Sequence, residues 1–193
     1  HLTAASSATG RLTKIKASID DQGTIHALDY DQIDDVGAYP RAPEPASLYR
    51  MHGNLSGAYK VKNIRCRNRV ILTNKTPSGL NRGFGGPQHY FALERLVHQI
   101  AVELKLNVLD VIKINLLEKN QFPYKSPSGA LLDSGNFQKL VKKVIESSTY
   151  KKILKNKNDS VKNGKIYGIG YSSIIEPYIS NMGYVTTALP YQD

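Results

Sequence analysis

Tryptophan is absent from the chain, and cysteine occurs once, at Cys66. A single thiol excludes an internal disulfide framework and a metal site built only of cysteines, and it fits a reducing cytoplasm. Cys66 itself reads as a half-buried strand residue, the usual setting of a free cysteine. No apolar run approaches the roughly 20 residues of a membrane-spanning helix, so no membrane is expected among the partners. The opening stretch His1-Leu2-Thr3-Ala4-Ala5-Ser6 lacks the charged, apolar and small-residue succession of a signal peptide. It also lacks an initiator Met, which points to a trimmed chain or to one that begins inside a longer sequence.

What is present is ample for folding. The 193 residues suffice for one ordinary domain or two small ones, and 12 Tyr with 4 Phe supply large core side chains. The net charge of +10 would attract nucleic acid, an anionic membrane face or an acidic partner subunit. Much of it lies in the lysines between Lys139 and Lys165, including Lys142-Lys143 and Lys151-Lys152. Aromatic residues are not interleaved there as single-strand binders require, so a solvated helix surface is expected and a nucleic-acid role is not.

The pattern along the chain is that of an α+β fold. Residues 1–10 are small and polar and read as an arm. From Arg11 to Ile19, Ile15, Ala17 and Ile19 share one face of a half-buried strand. The turn Asp20-Asp21-Gln22-Gly23 leads to a second strand, Thr24 to Tyr30, with His26, Leu28 and Tyr30 on one face of a hairpin. A Pro-rich loop, Pro40 to Pro45, precedes a short predicted helix from Ala46 to Leu55, weakened by Gly53 and Gly57. Val61 to Thr73 is the clearest strand: Arg65, Arg67 and Arg69 fall on a solvent- or subunit-facing side, opposite Ile64, Cys66 and Val70. Tyr90, Leu93, Val97, Ile100, Ala101 and Leu104 recur at helical spacing behind Pro87, which suits the first helical position. Glu94 lies close to that apolar face and wants a partner, as a structural tether or as a support to a site residue. A second helix, Val108 to Leu117, is capped by Asn107. Glu118 to Asn136 is a linker by composition. A third helix, Phe137 to Ile153, is capped by Asn136; Lys155 to Gly164 reads as a loop, and Lys165 to Ile175 as a strand of a second sheet.

The chemistry concentrates in Asn81-Arg82-Gly83-Phe84-Gly85-Gly86-Pro87-Gln88. Glycines let backbone approach a ligand closely, and a helix N-terminus offers N–H groups and a positive dipole end. Arg82 adds a planar donor fork, and Phe84 an aromatic face. The loop has neither the Lys-Ser/Thr ending of a P-loop nor dinucleotide-fold spacing, so these features alone fit an anion site or simple helix punctuation.

The wider stretch says more. Thr73-Asn74, Pro77, Arg82 to Gln88, Phe91 and Glu94, with Ala101, Leu104 and Asn115 ahead of Phe122-Pro123-Tyr124, resemble the molybdopterin-binding large subunit of the xanthine dehydrogenase, aldehyde oxidase and carbon monoxide dehydrogenase family. Gly23-Thr24-Ile25, Val36 to Tyr39, Ser126 to Gly129, Asp133 to Phe137 and Ile166 to Glu176 fit the same resemblance, which covers residues 11–176. It implies that residues 1–120 are the C-terminal part of a first molybdopterin-binding domain, 121–136 a linker and 137–193 the beginning of a second. It implies a molybdenum hydroxylase oxidising an aldehyde or heteroaromatic carbon with water as the oxygen source. Arg82, Gly83, Phe84 and Gly85 would face the cofactor, Phe84 would stack on a flat substrate, and Arg50 would orient it. FAD and iron–sulfur clusters would sit on partner chains or domains, beside the remaining part of the large subunit.

Departures narrow that expectation. Copper-containing carbon monoxide dehydrogenases carry a cysteine at the position of Gly83, which argues against that activity here. The family's upstream Gln-Gly-rich loop, its downstream Gly-Gln-Gly loop and the glutamate that acts as general base have no counterpart in the sequence. Glu94 and Glu176 sit in the wrong motifs to replace that base. The expectation is a piece of an enzyme, not active alone; the alternatives are a basic binding module and an inactive remnant without redox activity.

Overall fold

The computed structural model describes residues 7, 8, 10–41, 51–79, 83 and 85–176. Its first element is a hairpin of β1 (Gly10–Ile19) and β2 (Ile25–Asp35). The Asp20 carboxylate closes the turn by accepting from the amides of Gln22 (3.0 Å) and Thr24 (2.8 Å), and Gly23 supplies a left-handed φ of 84°. β3 (Asn63–Ile71) adds to β2 in parallel, giving the order β1-β2-β3. Among the described residues, the connection between those parallel strands includes a 3-10 turn, His52–Asn54.

β2 outruns its predicted end at Tyr30. Beyond that residue it alternates buried Gln32 and Asp34 with Asp31, Ile33 and Asp35, and the inward polar pair hides it from a hydrophobic reading. The inward face of His26 is also corrected. A register shift between Ser18 and Ile19 turns Ile25 into the core and leaves His26 exposed, 3.4 Å from Asp20. The outer face is a charge ladder set by cross-strand register: Lys16, Asp29 and Arg65 form one row, and Lys14, Asp31 and Arg67 the next. Arg65 pairs with Asp29 at 2.5 Å, and Arg67 and Arg69 both pair with Asp31, so the three arginines point away from the core as expected.

α1 (Gly86–Glu103) lies across the inner face. Its Tyr90, Leu93, Val97, Ile100 and Ala101 pack against Ile25, Leu28 and Tyr30 of β2, and against Leu55, Tyr59 and Val61 of the crossover. α2 (Val108–Asn115) is capped by Asn107, whose side chain accepts from the Leu109 amide, and adds Val111 and Ile112 to the same core. Burial of this stripe is the main stabilising term.

The segment 118–136 holds a capping-box turn and a two-stranded hairpin, β4 (Tyr124–Lys125) and β5 (Leu131–Leu132). It folds back on the crossover, where Gly53 O accepts from Ser126 Oγ (2.7 Å), Ser128 Oγ (2.9 Å) and Ala130 N (2.7 Å).

The expected third helix breaks in two at Ser147: α3 is Phe137–Glu146 and α4 is Ser148–Lys162. Ser147 has an extended backbone and its side chain accepts from the Tyr150 amide, which restarts the helix. The loop expected at Lys155 to Gly164 is instead the second half of α4. It ends where Gly164 takes a φ of 68°, with Lys165 N donating to Ser160 O and Gly164 N to Val161 O. Residues 165–176 are no strand among the described residues, yet from Tyr167 to Glu176 burial alternates with period two. Of the expected arm, residues 7, 8 and 10 are described, and Ser7 bridges to Ser78. The residues of the predicted helix before Met51 lie outside the described residues.

Candidate functional site

Gly83 and Gly85 hold left-handed backbone, with φ of 87° and 95°. Gly86 N donates to Gly83 O at 2.7 Å, and His89 N to Gly85 O at 3.1 Å, which turns the chain directly into α1. A Cβ on Gly83 would stand 3.0 Å from Pro87 Cδ, so a side chain there would be strained in conformation and would crowd the proline ring. Gly85 is the N-cap and makes no side-chain cap; Pro87 follows one place later than predicted. Arg50, Arg82 and Phe84, the other residues singled out in the sequence, lie outside the described residues.

The turn opens on a cleft of about 660 Å³. One wall is Gly83, Gly86 and the exposed flank of α1, with Pro87, Phe91 and Arg95 among its residues; the other is the segment from Ile169 to Glu176. Within the cleft wall, Glu94 is 6% exposed and its carboxylate accepts from Tyr59 Oη, 3.0 Å from each oxygen, and from the Ser173 amide at 2.9 Å. Burial pushes its pKa up to about 7, against the pull of those two donors. Burial likewise raises the Tyr59 hydroxyl well above its ordinary range, so it stays a donor. Of the two readings open for Glu94, the tether is the one its contacts support.

Behind the turn lies a second polar group. His89 is fully buried between the rings of Tyr30 (5.7 Å) and Tyr90 (5.1 Å, edge-on), and neither ring nitrogen has a hydrogen-bond partner. Its pKa falls to about 3, through burial first and the nearby charge of Arg11 second. Arg11 is locked in a buried pair with Asp34, at 2.7 and 2.9 Å. Gln32 Nε2 and His52 Nε2 are buried without partners nearby. Neither His89 nor His52 had a sequence signal: a lone histidine on an apolar stripe reads as core.

Chemically, the described residues form a hydrogen-bonding wall. Among them no group of three or more His, Cys, Asp or Glu is arranged to hold a metal ion. Nothing beyond backbone projects from Gly83, Gly85 or Gly86, and the helix start behind them favours anionic groups.

The profile of the molybdopterin cofactor-binding domain family matches residues 1–116. The chain is 28% identical over 134 residues to the carbon monoxide dehydrogenase large chain of Hydrogenophaga pseudoflava, covering 66% of this chain and 16% of that one. It is 25% identical over 179 residues to the nicotine 6-hydroxylase large subunit of Paenarthrobacter nicotinovorans, covering 91% of this chain and 22% of that one. The crystal structure of quinoline 2-oxidoreductase from Pseudomonas putida 86 superposes with a TM-score of 0.75 at 23% identity, over 83% of this chain and 21% of that one. The chain thus spans about a fifth of the length of these relatives.

Proposed function

This chain belongs to the molybdopterin cofactor-binding domain family, and we propose that it supplies one wall of the pterin site of a molybdenum hydroxylase without supplying the base. The observation that carries this reading is the left-handed Gly83–Gly85 turn running into α1, inside the stretch matched by the family profile. When bound, the cofactor would supply the oxidation of an aldehyde or heteroaromatic carbon with water as the oxygen source. The backbone of Gly83 and Gly85 would meet the cofactor, with Arg82 beside it as a donor fork; Phe84 would stack on a flat substrate and Arg50 would orient it. Glu94 is spent on Tyr59 and Ser173, so it holds structure and leaves the role of general base to a residue elsewhere in the assembly. The proposed partners are the remainder of the large subunit and chains or domains bearing iron–sulfur clusters and FAD, in the cytoplasm; residues 121–136 would link the first molybdopterin-binding domain to a second beginning at 137. No helix among the described residues is long and apolar enough to cross a membrane.

Elemental analysis of the native assembly containing this chain tests the proposal. Molybdenum or tungsten together with a fluorescent pterin oxidation product is expected. Their absence from an intact assembly would overturn it.

A further inference from the structure

The cleft is closed on one side by a segment that, among the described residues, belongs to no sheet. Residues 167–176 alternate in burial like a strand, yet no strand flanks them among the described residues. Their ordering comes from helix side chains. Tyr90 Oη donates to Ile175 O at 2.6 Å, Glu94 Oε2 accepts from Ser173 N at 2.9 Å, and His98 Nε2 meets Tyr171 O at 2.7 Å. The short His98 contact requires a proton on Nε2, and that nitrogen then cannot accept from the Tyr171 amide 3.3 Å away, so the rung is the bond donated to Tyr171 O.

The spacing explains the fit. Residues 90, 94 and 98 are four apart and line one helix face, each step rising about 6.0 Å. Residues 175, 173 and 171 are two apart and run antiparallel, each step about 6.6 Å in extended chain. Three rungs therefore match with little accumulated mismatch, whereas after a shift by one residue the backbone groups at these positions would point to the opposite edge, away from α1. Tyr171 also stacks on His98 and meets Tyr150 of α4 at 3.1 Å between hydroxyls, which fixes the far end. At the near end the zipper delivers Glu176 to the start of α1: a Cβ on Gly86 would stand 3.5 Å from Glu176 Oε2.

We propose that Tyr90, Glu94 and His98 are positioning residues that zip residues 171–175 onto α1 in one register, and so set the outer wall of the cleft and the seat of Glu176 over the glycine turn. Their functional weight rests on the reading of that turn as a cofactor wall; their geometry does not.

Hydrogen exchange of the full chain, resolved at single amides, tests the zipper. The Ser173 amide is the middle rung. Tyr90→Phe and His98→Phe each delete an outer rung without touching it, and a zipper predicts that each speeds Ser173 exchange about five- to tenfold. Glu94→Gln keeps an acceptor and holds the wild-type rate within about threefold. The Val97 amide in α1 stays at its wild-type rate throughout. Ser173 exchange unchanged in both outer-rung variants overturns the proposal. Equal acceleration at Ser173 and Val97 also overturns it, because the side chains would then be supporting the whole fold. These rates are read without cofactor, so an assembly lacking molybdenum would sink the functional reading and leave the zipper to be judged on exchange alone.

Discussion

Asn115 and Gly23 stand 92 residues apart in the chain, and the Asn115 amide nitrogen donates to Gly23 O at 2.8 Å. The same side chain accepts from Ile25 N and donates to Val111 O, each at 2.8 Å, so one buried amide joins the first hairpin to α2 with its hydrogen-bonding capacity used on both sides.

Replacing Asn115 by Leu would keep much of the volume but strand the Ile25 amide and the Gly23 carbonyl in the core. The expected cost is about 2–4 kcal/mol, from two buried backbone groups left without partners. Urea unfolding of the two proteins measures it. A loss below the error of that measurement would show that water reaches the site.

His89 makes stability depend on acid. Its folded pKa is depressed to about 3 from an ordinary 6.5, so the unfolded chain binds a proton that the folded chain refuses. Stability from this residue is whole above pH 6.5 and is lost as pH falls towards 3, with a slope approaching about 1.4 kcal/mol per pH unit for one proton. His89→Leu removes the titrating group, so between pH 3 and 4.5, below the range in which Glu94 opposes it, unfolding midpoints of the variant should be flatter than wild type. Parallel curves for the two proteins would contradict the buried, neutral assignment.

The division between legible and illegible parts follows from what carries the signal. β1, β3 and α1 bury apolar side chains at their own period, and their periods were visible in Ile15-Ala17-Ile19, in Ile64 with Cys66, and in Tyr90 to Leu104. The end of β2 was not, since Gln32 and Asp34 face inward and Asp34 is kept there by Arg11 from across the hairpin. α4 was split into helix and loop because it buries no residue and its polar tail has no apolar stripe; its start and stop depend on Ser147 and Gly164 instead. The segment after Gly164 alternated in the sequence as a strand should, but what it lies against is a helix. At the site, the glycine turn was readable from Gly83 and Gly85, whereas the Tyr90, Glu94 and His98 ladder was present as plain four-residue spacing and acquires meaning only from the backbone laid beside it.

Glu94 is expected to act in the opposite sense to His89. Its carboxyl is raised from 4.5 to about 7 by burial, facing Tyr59 and Tyr90, with the Ser173 amide from the cleft segment. The folded chain therefore holds a proton that the unfolded chain has released, and stability from this group is full below pH 4.5 and is lost as pH rises through 7. Glu94→Gln removes the titration. Between pH 4.5 and 6.5 the two residues oppose each other, so wild type should show a shallow profile there, His89→Leu a falling one and Glu94→Gln a rising one. Thermal midpoints of the three proteins over that range decide the matter, and identical slopes would refute both assignments.

Two glycines with left-handed backbone should respond differently to alanine. Gly37 has a φ of 77°, and an added Cβ would stand 2.5 Å from Thr76 O and 2.8 Å from Pro77 Cα, both rigid backbone atoms. Thr73 N also donates to Gly37 O, so the strand end and the loop leading towards the glycine turn are sewn together at this point. Gly129, with a φ of 111°, has nothing within 4 Å of the same added atom. Gly129→Ala should cost about 1–2 kcal/mol, the conformational penalty alone. Gly37→Ala should cost about 3 kcal/mol or more, since strain and a backbone clash are added to it. The second substitution should also speed amide exchange at Thr73, whose acceptor must move, while the first leaves that amide unchanged. Equal losses for the two variants would mean that the loop around Thr76 yields freely, and that the glycine turn it leads into is not held from this side.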